Sequence, residues 1–382
     1  MDEPIYLDHH ATTPLDRRVL EKMLPYFTEI YGNPSSIDHL HGNKAKVAVD
    51  GARQTIAKHL GCRKENEIIF TSGATEANNL ALIGAFRKYR DKGKHLIASA
   101  IEHPAVLDTL KALEREGAEV TLLPVDSHGV VDLEALRNAI RKETILISVM
   151  FANNEIGTIQ PIAQIGELAK AKGILFHVDA AQAVGHEPIH VYDMNIDLLS
   201  FSAHKFYGPK GVGGLFVRSF APMVRLEAVT FGGGQERNLR PGSLNVPGIV
   251  GMAEALSFAA TEQKAERKRL EQLSATITDA LQTAFPDVKI NGHPERKLTH
   301  NLNLTIPGVE AKALIHVLKS KLSFSAGSAC STTKVEPSHV LKAMGLSDDE
   351  TFQTIRLGLG RSTQDAQGLA HLLIEGIGQV RR

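Results

Sequence analysis

The residues most able to do chemistry in this sequence follow short apolar runs that are typical of buried strands. Lys205 comes directly after one such run, in FSAHKFYGPKG, beside Ser202 and His204. A lysine at the carboxyl end of a strand faces the crevice in which α/β sheets bind ligands, and a lysine with a lowered pKa can form an imine with a carbonyl group. Taken alone, this segment is explained more simply by a surface lysine after a strand.

A second pair of polar groups follows the preceding predicted strand, in LFHVDAAQAVG. Asp179 could hold a pyridine nitrogen protonated, which would make the ring an electron sink, and Gln182 could bond the phenolic oxygen of the same ring. A carboxylate at a strand end is more often a helix cap. Only the combination with Lys205 favours an aldehyde cofactor.

A strand-to-helix turn in FTSGATEANN could hold a phosphate group. Gly73, Ala74 and Thr75 lie there, where free backbone amides and the positive end of the helix attract anions. The sequence lacks GxxxxGK[ST], and GPKGVGG does not match GxGxxG. Nucleotide binding is therefore the weaker interpretation.

Two more polar residues follow predicted strands and would enter the same crevice. His103, in SAIEHPAVLD, offers a flat imidazole that can stack on an aromatic ring, and its ordinary alternative is a loop donor. Asn154, in FANNEIGTIQP, offers an amide to a ring oxygen or a substrate carboxylate. Its alternative is a turn-forming Asn pair before Gly157.

The sequence has only two cysteines. Cys330 lies in SFSAGSACSTTKVEPSHV, whose Ser, Ala and Gly content predicts an exposed loop on which an ionised thiol could act as a nucleophile. Cys62 follows a predicted helix among charged residues, and we interpret it as incidental. Arg356, in TIRLGLGR, could make a bidentate pair with a carboxylate or be structural.

Strands and helices that would position these residues alternate between residues 68 and 218. Short β-rich runs begin near 68, 95, 120, 145, 174, 198 and 213, and most gaps leave room for a crossover helix. We predict an α/β fold with a mostly parallel mixed sheet flanked by helices. A long helix from Pro247 to Phe285 would bridge to a smaller α+β unit.

Three domains or segments follow from this pattern. Residues 1–16 form an N-terminal segment that packs with the small domain, residues 17–260 form the large domain, and residues 261–382 form the small C-terminal domain that carries the Cys330 loop.

Composition excludes several classes of protein. The 382 residues include 43 Lys plus Arg and 43 Asp plus Glu, so no net field attracts nucleic acid or an anionic membrane. No apolar run approaches the ~18 residues of a membrane helix. The N-terminus lacks the basic and apolar regions of a signal peptide, so we expect a cytoplasmic protein. No His or Asp pair has the spacing of a zinc site, and we predict no resident metal.

The candidate residues, in this order, resemble those of fold-type I enzymes that use pyridoxal 5′-phosphate, in their class V aminotransferase branch. The resemblance covers nearly the whole chain. Within that branch, the sequence resembles the cysteine desulfurases of the NifS/IscS-like group. The motifs that carry this likeness are YLDHHATTP, GNPSS, TSGATEANN, IEHPAVLD, NNEIG, HVDAAQAVG, SAHKFYGPKG, GGGQER and SAGSACST.

The resemblance implies a role for each candidate residue around the cofactor. Lys205 would form the imine with pyridoxal 5′-phosphate, Asp179 would face its ring nitrogen, and His103 would stack on the ring and transfer protons. Gln182 and Asn154 would bond the ring substituents. The phosphate would be held by Ala74, Thr75, Ser202 and His204, and by Ser243 of the partner subunit, where Thr is common.

The same resemblance implies the reaction. Cys330 would take sulfur from L-cysteine as a persulfide, and Arg356 and Asn154 would bind the substrate, which leaves as L-alanine. The enzyme would be a homodimer that passes sulfur to a small acceptor protein, such as an iron–sulfur scaffold, or to transfer-RNA thiolation. Cys330 is also a candidate transient ligand of an iron–sulfur cluster.

Some features leave alternatives open. Ala326 stands where Ser is frequent in the group, and the sequence ends at Arg382 soon after its last predicted helix, so we expect weak docking of a scaffold. Selenocysteine lyase or aminotransferase chemistry on the same scaffold is one alternative. A non-enzymatic module that binds phosphates through GPKGVGG is another.

Overall fold

The computed structural model describes residues 3–327, 330–331 and 334–381, and for residues 330, 331, 334 and 335 it describes the backbone only. The helices are α1 (Arg17–Met23), α2 (Pro25–Thr28), α3 (Leu40–His59), α4 (Ala74–Tyr89), α5 (Pro104–Arg115), α6 (Leu133–Ala139), α7 (Ile162–Lys172), α8 (Val246–Ala284), α9 (Ala311–Leu318), α10 (His339–Ala343), α11 (Asp348–Phe352) and α12 (Ala366–Val380). The strands are β1 (Ile5–Tyr6), β2 (Ile68–Thr71), β3 (His95–Ser99), β4 (Glu119–Leu123), β5 (Thr144–Ser148), β6 (Leu175–Asp179), β7 (Leu198–Ser202), β8 (Gly213–Val217), β9 (Lys289–Ile290), β10 (Asn301–Thr305), β11 (Leu322–Ser323), β12 (Ser325–Ala326), β13 (Cys330–Ser331), β14 (Lys334–Val335) and β15 (Thr354–Gly358).

The large sheet has seven strands in the order β2-β8-β7-β6-β5-β3-β4. Strand β8 runs antiparallel to both of its neighbours, and the other pairs are parallel. Strands β2, β3, β5, β7 and β8 are buried at every residue, as expected for strands covered on both faces by helices. The predicted mostly parallel mixed sheet is therefore confirmed.

Strand β8 lies unusually close to the turn between β2 and α4. A Cβ atom on Gly213 would come within 2.6 Å of the Gly73 Cα atom and 2.5 Å of the Phe201 carbonyl oxygen. Only glycine fits such a close approach of two backbones. This contact fixes the first turn of α4 beside the end of β7.

Helix α8 has 39 residues and joins two hydrophobic cores. It begins after Asn245, whose side chain accepts a hydrogen bond from the Gly248 amide at 3.1 Å. Its residues up to Ala259 pack in the core of the large sheet, and Leu270, Leu273, Ile277 and Leu281 pack in the second core. The predicted division after residue 260 falls between these two groups and stays a prediction.

The second core lies under an antiparallel sheet in the order β12-β15-β10-β9. The N-terminal segment contacts this unit, because β1 pairs with β11 and Leu7 is buried in the second core. It also contacts the large unit, since the backbone amides of Thr13 and Asp16 donate hydrogen bonds to the carbonyl oxygens of His204 and Tyr207, respectively. The segment therefore joins both units.

The backbone around Cys330 forms a short antiparallel pair of strands, with Cys330 opposite Val335. The sequence predicts a loop here, and the side chain of Cys330 lies outside what the structure describes. Across the described residues, none of the helices combines the length and apolar character needed to cross a membrane.

Candidate active site

A cavity of about 580 Å³ opens where the carboxyl ends of several strands of the large sheet meet. Parallel strands present these ends at the same edge, so polar residues that follow them converge. The predicted residues that line the cavity are Ala74, Thr75, His103, Asn154, Asp179, Gln182, Ser202, His204, Lys205 and Arg356. Arg356 comes from β15, so the cavity lies between the two sheets.

Lys205 ends a short 3₁₀ turn directly after β7. Its Nζ atom donates to the carbonyl oxygens of His10, at 2.5 Å, and Ala11, at 3.0 Å. Burial, together with the nearby positive charge of Arg356, lowers the pKa of Lys205 to about 8, although Asp179 and Asp8 oppose this effect. The amine is thus partly neutral, as a nucleophile must be, near physiological pH.

Asp179 ends β6 and is buried at the bottom of the cavity. Its Oδ2 atom accepts a hydrogen bond from Asn78 Nδ2 at 2.7 Å, and its Oδ1 atom accepts one from the Ala181 amide at 2.9 Å. The hydrogen bond from the Ala181 amide is the capping contact that the sequence offered as the alternative role of Asp179. Both partners are neutral, so the negative charge is held in place without a cation.

Gln182 lies one turn beyond Asp179 and is 6% exposed. Its Oε1 atom lies 3.1 Å from His10 Nδ1, and its Nε2 atom donates to the His10 carbonyl oxygen at 3.0 Å. Both ends of the amide are therefore bound to a single residue of the N-terminal segment.

The phosphate-binding residues of the prediction meet at one end of the cavity. Ala74 and Thr75 form the first turn of α4, whose amides have no partner within the helix. Ser202 ends β7, and burial together with Lys205 and Lys210 lowers the pKa of His204 to about 4. This end thus presents neutral donors and a positive helix terminus.

Two charged side chains at this end were not singled out from the sequence. Lys210 lines the cavity, and so does Glu76, which pairs with Arg240 at 2.8 Å. Glu76 also accepts a hydrogen bond from the Ser72 amide at 2.6 Å. Arg240 thus offsets the negative charge of Glu76, which would otherwise repel an anion bound at the neighbouring turn.

His103 precedes α5 and lines the cavity. Its Nδ1 atom accepts a hydrogen bond from the Ala105 amide at 3.1 Å. A backbone amide can only donate, so the neutral ring carries its proton on Nε2. The pKa of His103 is lowered mainly because the protein around the ring removes part of its solvation, although the side chain keeps an exposed part, and this favours the neutral form. The ring therefore offers a flat face and an N–H donor.

Arg356 is held from both sides of the cavity. Its Nη2 atom donates to Asp8 Oδ1 at 2.7 Å, and its Nη1 atom donates to the Asn154 carbonyl oxygen at 3.1 Å. Its Nε atom is buried with no partner among the described residues. Asn153 forms the turn that the sequence offered as the alternative role of the Asn pair, because its Oδ1 atom accepts hydrogen bonds from the Glu155 and Ile156 amides. Asn154, the other member of the pair, lines the cavity.

Two predicted site residues are not among those that line this cavity, Ser243 because of its position and Cys330 because its side chain is not described. Ser243 is exposed and does not line the cavity of its own chain, which is compatible with a role in a partner's site. The side chain of Cys330 is not described. Cys62 lines a separate surface pocket beside α3, and burial raises the pKa of its thiol.

Three residues that build the site carry no role in the sequence analysis. Asn78 holds Asp179, His10 holds Gln182, and Asp8 holds Arg356. All three belong to motifs that carry the resemblance, TSGATEANN and YLDHHATTP. The motifs were informative, but contacts between distant positions were needed to assign these residues.

The described residues fit pyridoxal phosphate. A lysine of lowered pKa suits an aldehyde, a carboxylate with neutral partners suits a pyridinium nitrogen, and a free helix N-terminus suits a phosphate. These three groups line one cavity. The donor set is thus complementary to the three ends of that cofactor.

Comparison with known proteins gives consistent results. The family model described as "Aminotransferase class-V" matches residues 5–367. "Cysteine desulfurase IscS" of Anaeromyxobacter sp. (strain Fw109-5) is 48% identical over 383 residues, covering 100% of this chain and 94% of the relative.

Solved structures agree with this result. One titled "NIFS-LIKE PROTEIN" aligns with a TM-score of 0.90 and 36% identity, covering 99% of both chains. Another, titled "SspA in complex with cysteine", aligns with a TM-score of 0.81 and 38% identity, covering 93% of this chain and 98% of that chain.

Proposed function

We propose that this chain, which belongs to the class-V aminotransferase family, is a cysteine desulfurase that converts L-cysteine into L-alanine. The observation that carries the proposal is the convergence of Lys205 and Asp179, which enter one cavity from the adjacent strands β7 and β6. The reaction needs no external oxidant: the substrate thiol and the Cys330 thiol give L-alanine and a persulfide on Cys330.

When bound, pyridoxal phosphate supplies an electron sink for the substrate's α-carbon. Asp179 would face the ring nitrogen and favour its protonated form, because a carboxylate stabilises a nearby cation, and Asn78 and the Ala181 amide hold that carboxylate in position. The first turn of α4, Ser202 and His204 would hold the phosphate. Lys205, partly neutral because of its lowered pKa, binds the aldehyde and then moves the α-proton.

Arg356 binds the carboxylate of L-cysteine. Arg356 lines the cavity, so its guanidinium group can meet a substrate carboxylate there. Asn154 lines the cavity beside it.

Cys330 accepts the sulfur in this proposal. The assignment rests on the match of SAGSACST to the cysteine desulfurase motif and on the scarcity of cysteine elsewhere in the chain. Cys62 is a poor alternative, because burial raises the pKa of its thiol and it lies at a different pocket. Cys330 then passes the sulfur to a small acceptor protein or to a thiolation pathway.

A homodimer completes the site. Large apolar side chains are exposed along α1 to α3 and in the segment before Ser243, as on a surface that a second copy covers. They are Leu24, Phe27, Tyr31, Ile37, Leu40, Val47 and Phe231. The family resemblance is what places Ser243 of the partner subunit at the phosphate end of the cavity, and Ser243 does not line the cavity of its own chain.

The test uses the purified chain loaded with pyridoxal phosphate. We expect visible absorption that borohydride bleaches, and we expect the peptide that contains Lys205 to carry the reduced cofactor. L-cysteine should then release L-alanine, whereas Lys205→Ala should bind the cofactor without releasing alanine. A wild-type chain that stays colourless, or alanine release by Lys205→Ala near the wild-type rate, would contradict the proposal.

A further inference from the structure

A chain of buried hydrogen bonds runs from the backbone of Glu155 to the amide of Gln182. Asn301 Nδ2 donates to the Glu155 carbonyl oxygen at 2.9 Å and lies 3.1 Å from His10 Nε2. His10 Nδ1 lies 3.1 Å from Gln182 Oε1. His10 and Asn301 are each 1% exposed, so water does not offer these groups other partners.

The direction of every bond in this chain follows from the two backbone carbonyls at its ends. The Glu155 carbonyl can only accept, so the Asn301 atom against it must be the donor nitrogen. That nitrogen also faces His10 Nε2, which must therefore be an unprotonated acceptor. The neutral His10 ring then carries its proton on Nδ1 and donates it to Gln182 Oε1.

The orientation of Gln182 follows from that tautomer. Its Nε2 atom donates one proton to the His10 carbonyl oxygen at 3.0 Å, which leaves the second proton free of protein partners among the described residues. A reversed amide would place Nε2 against the Nδ1 proton and Oε1 against the carbonyl oxygen. Both contacts would then be repulsive, so the amide is locked.

We infer that His10 and Asn301 are positioning residues that hold the Gln182 amide with its free N–H directed at the bound ligand. This rests on the proposed function, in which Gln182 faces the phenolic oxygen of pyridoxal phosphate. An anionic oxygen needs a donor, and a reversed amide would present an acceptor instead. Burial, the main cause, and the charge of Arg356 keep the pKa of His10 well below its usual value, which maintains the neutral ring.

His300 provides a matched control. Its ring stacks on His10 with 4.5 Å between centroids and is likewise buried. Among the described residues, His300 makes a hydrogen bond through its backbone, where its carbonyl oxygen accepts from the Leu359 amide at 2.8 Å. His300→Phe therefore keeps an aromatic ring in the stack and leaves the chain of hydrogen bonds intact.

The experiment compares Gln182→Ala, His10→Phe, Asn301→Ala and His300→Phe with the wild-type protein. Each is loaded with pyridoxal phosphate, and we measure the cofactor's dissociation constant and the pH midpoint of its visible absorption change. Loss of the donor raises this midpoint, because the anionic ring oxygen holds a proton more tightly. Gln182→Ala should weaken binding about 10- to 100-fold, as expected for one hydrogen bond to a charged group.

The inference predicts a graded result. His10→Phe should raise the midpoint nearly as far as Gln182→Ala, Asn301→Ala should raise it less, and His300→Phe should leave it at the wild-type value. The double variant of His10 and Gln182 should shift no further than Gln182→Ala alone. If His10→Phe does not fold, the inference is tested by comparing the midpoint of Asn301→Ala with that of His300→Phe.

Two outcomes would overturn the inference. One is a wild-type midpoint in His10→Phe or, where that variant does not fold, in Asn301→Ala. The other is an equal shift in His300→Phe, which would show that ring packing matters rather than hydrogen bonding. These differ from failure of the proposed function, in which the wild-type chain would show no visible absorption with pyridoxal phosphate at all.

Discussion

The two walls of the cavity hold their charged residues in opposite ways. On the large-sheet wall, Asp179 is held by the amide of Asn78 and a backbone N–H, both neutral. On the small-sheet wall, Arg356 is paired with the carboxylate of Asp8 at 2.7 Å. The carboxylate of one wall is hydrogen-bonded by neutral groups, and the cation of the other wall is paired directly with a carboxylate.

This difference matches the ligands expected at each wall. A resident cofactor stays in place, so a carboxylate with no directly paired cation can serve its ring nitrogen throughout the reaction. A substrate must enter and its product must leave, so a cation that is already partly neutralised binds a carboxylate reversibly. The contrast predicts that changes at Asp179 affect turnover, whereas changes at Arg356 and Asp8 affect substrate binding.

The largest effect is expected for Asp179→Asn. Turnover should fall by about 10³-fold or more, equivalent to ~4 kcal/mol, because a neutral amide cannot keep the ring nitrogen protonated. The fold should survive, since Asn78 can reverse its amide and present Oδ1, which has no partner among the described residues. Steady-state alanine production measures the loss, and a decrease of less than tenfold would reduce Asp179 to a cap.

A smaller effect is expected for Arg356→Lys. The value of kcat/KM for L-cysteine should fall by about 10- to 100-fold, because lysine lacks the planar fork that pairs with a carboxylate. Arg361→Lys is the matched control, since Arg361 pairs with Asp16 at 2.6 Å and does not line the cavity. Equal losses in both variants would assign Arg356 a structural role only.

The pH dependence of cofactor attachment depends on charged residues of both walls. Attachment of Lys205 to pyridoxal phosphate, trapped with borohydride, should accelerate as pH rises through about 8, because the neutral amine reacts and its pKa is lowered to that value. Arg356→Gln should move this midpoint upward, since Arg356 lowers the pKa. Asp179→Asn should move it downward, since Asp179 raises the pKa. Shifts in the reverse directions would contradict the charge arrangement.

The smallest effect is expected for Asp8→Asn. The variant keeps an oxygen acceptor for Arg356 and removes the competing negative charge, so KM for L-cysteine should fall by about two- to fivefold with kcat nearly unchanged. Initial rates over a range of cysteine concentrations measure this. An increase in KM would mean that Asp8 mainly holds the arginine in position.

Sequence reasoning succeeded where a feature is local. The strands of the large sheet were located because buried strands are continuous apolar runs, and the face of α8 formed by Leu270, Leu273, Ile277 and Leu281 was visible as a helical period. Residues at the ends of predicted strands converge on one cavity for the same reason. The family resemblance supplied their expected roles, which stay predictions.

Features that depend on contacts between distant positions were not accessible. The pairing of Asp8 with Arg356 spans 348 positions, and the contact of His10 with Asn301 spans 291. Nothing local in either segment indicates these partners. The antiparallel direction of β8 was also missing, because apolar patterning does not reveal strand direction, and the short pairing of Cys330 with Val335 lies in a segment whose composition favours a loop.

The most direct test of the account is the location of the transferred sulfur. The cofactor-loaded protein is incubated with L-cysteine without an acceptor, alkylated and digested, and the peptides of Cys330 and Cys62 are compared by mass spectrometry. The account predicts one added sulfur atom on Cys330, unchanged in Cys62→Ser and absent in Cys330→Ser, with L-alanine released in equal amount in the first turnover. Added sulfur on Cys62, or alanine released at the wild-type first-turnover rate by Cys330→Ser, would contradict it.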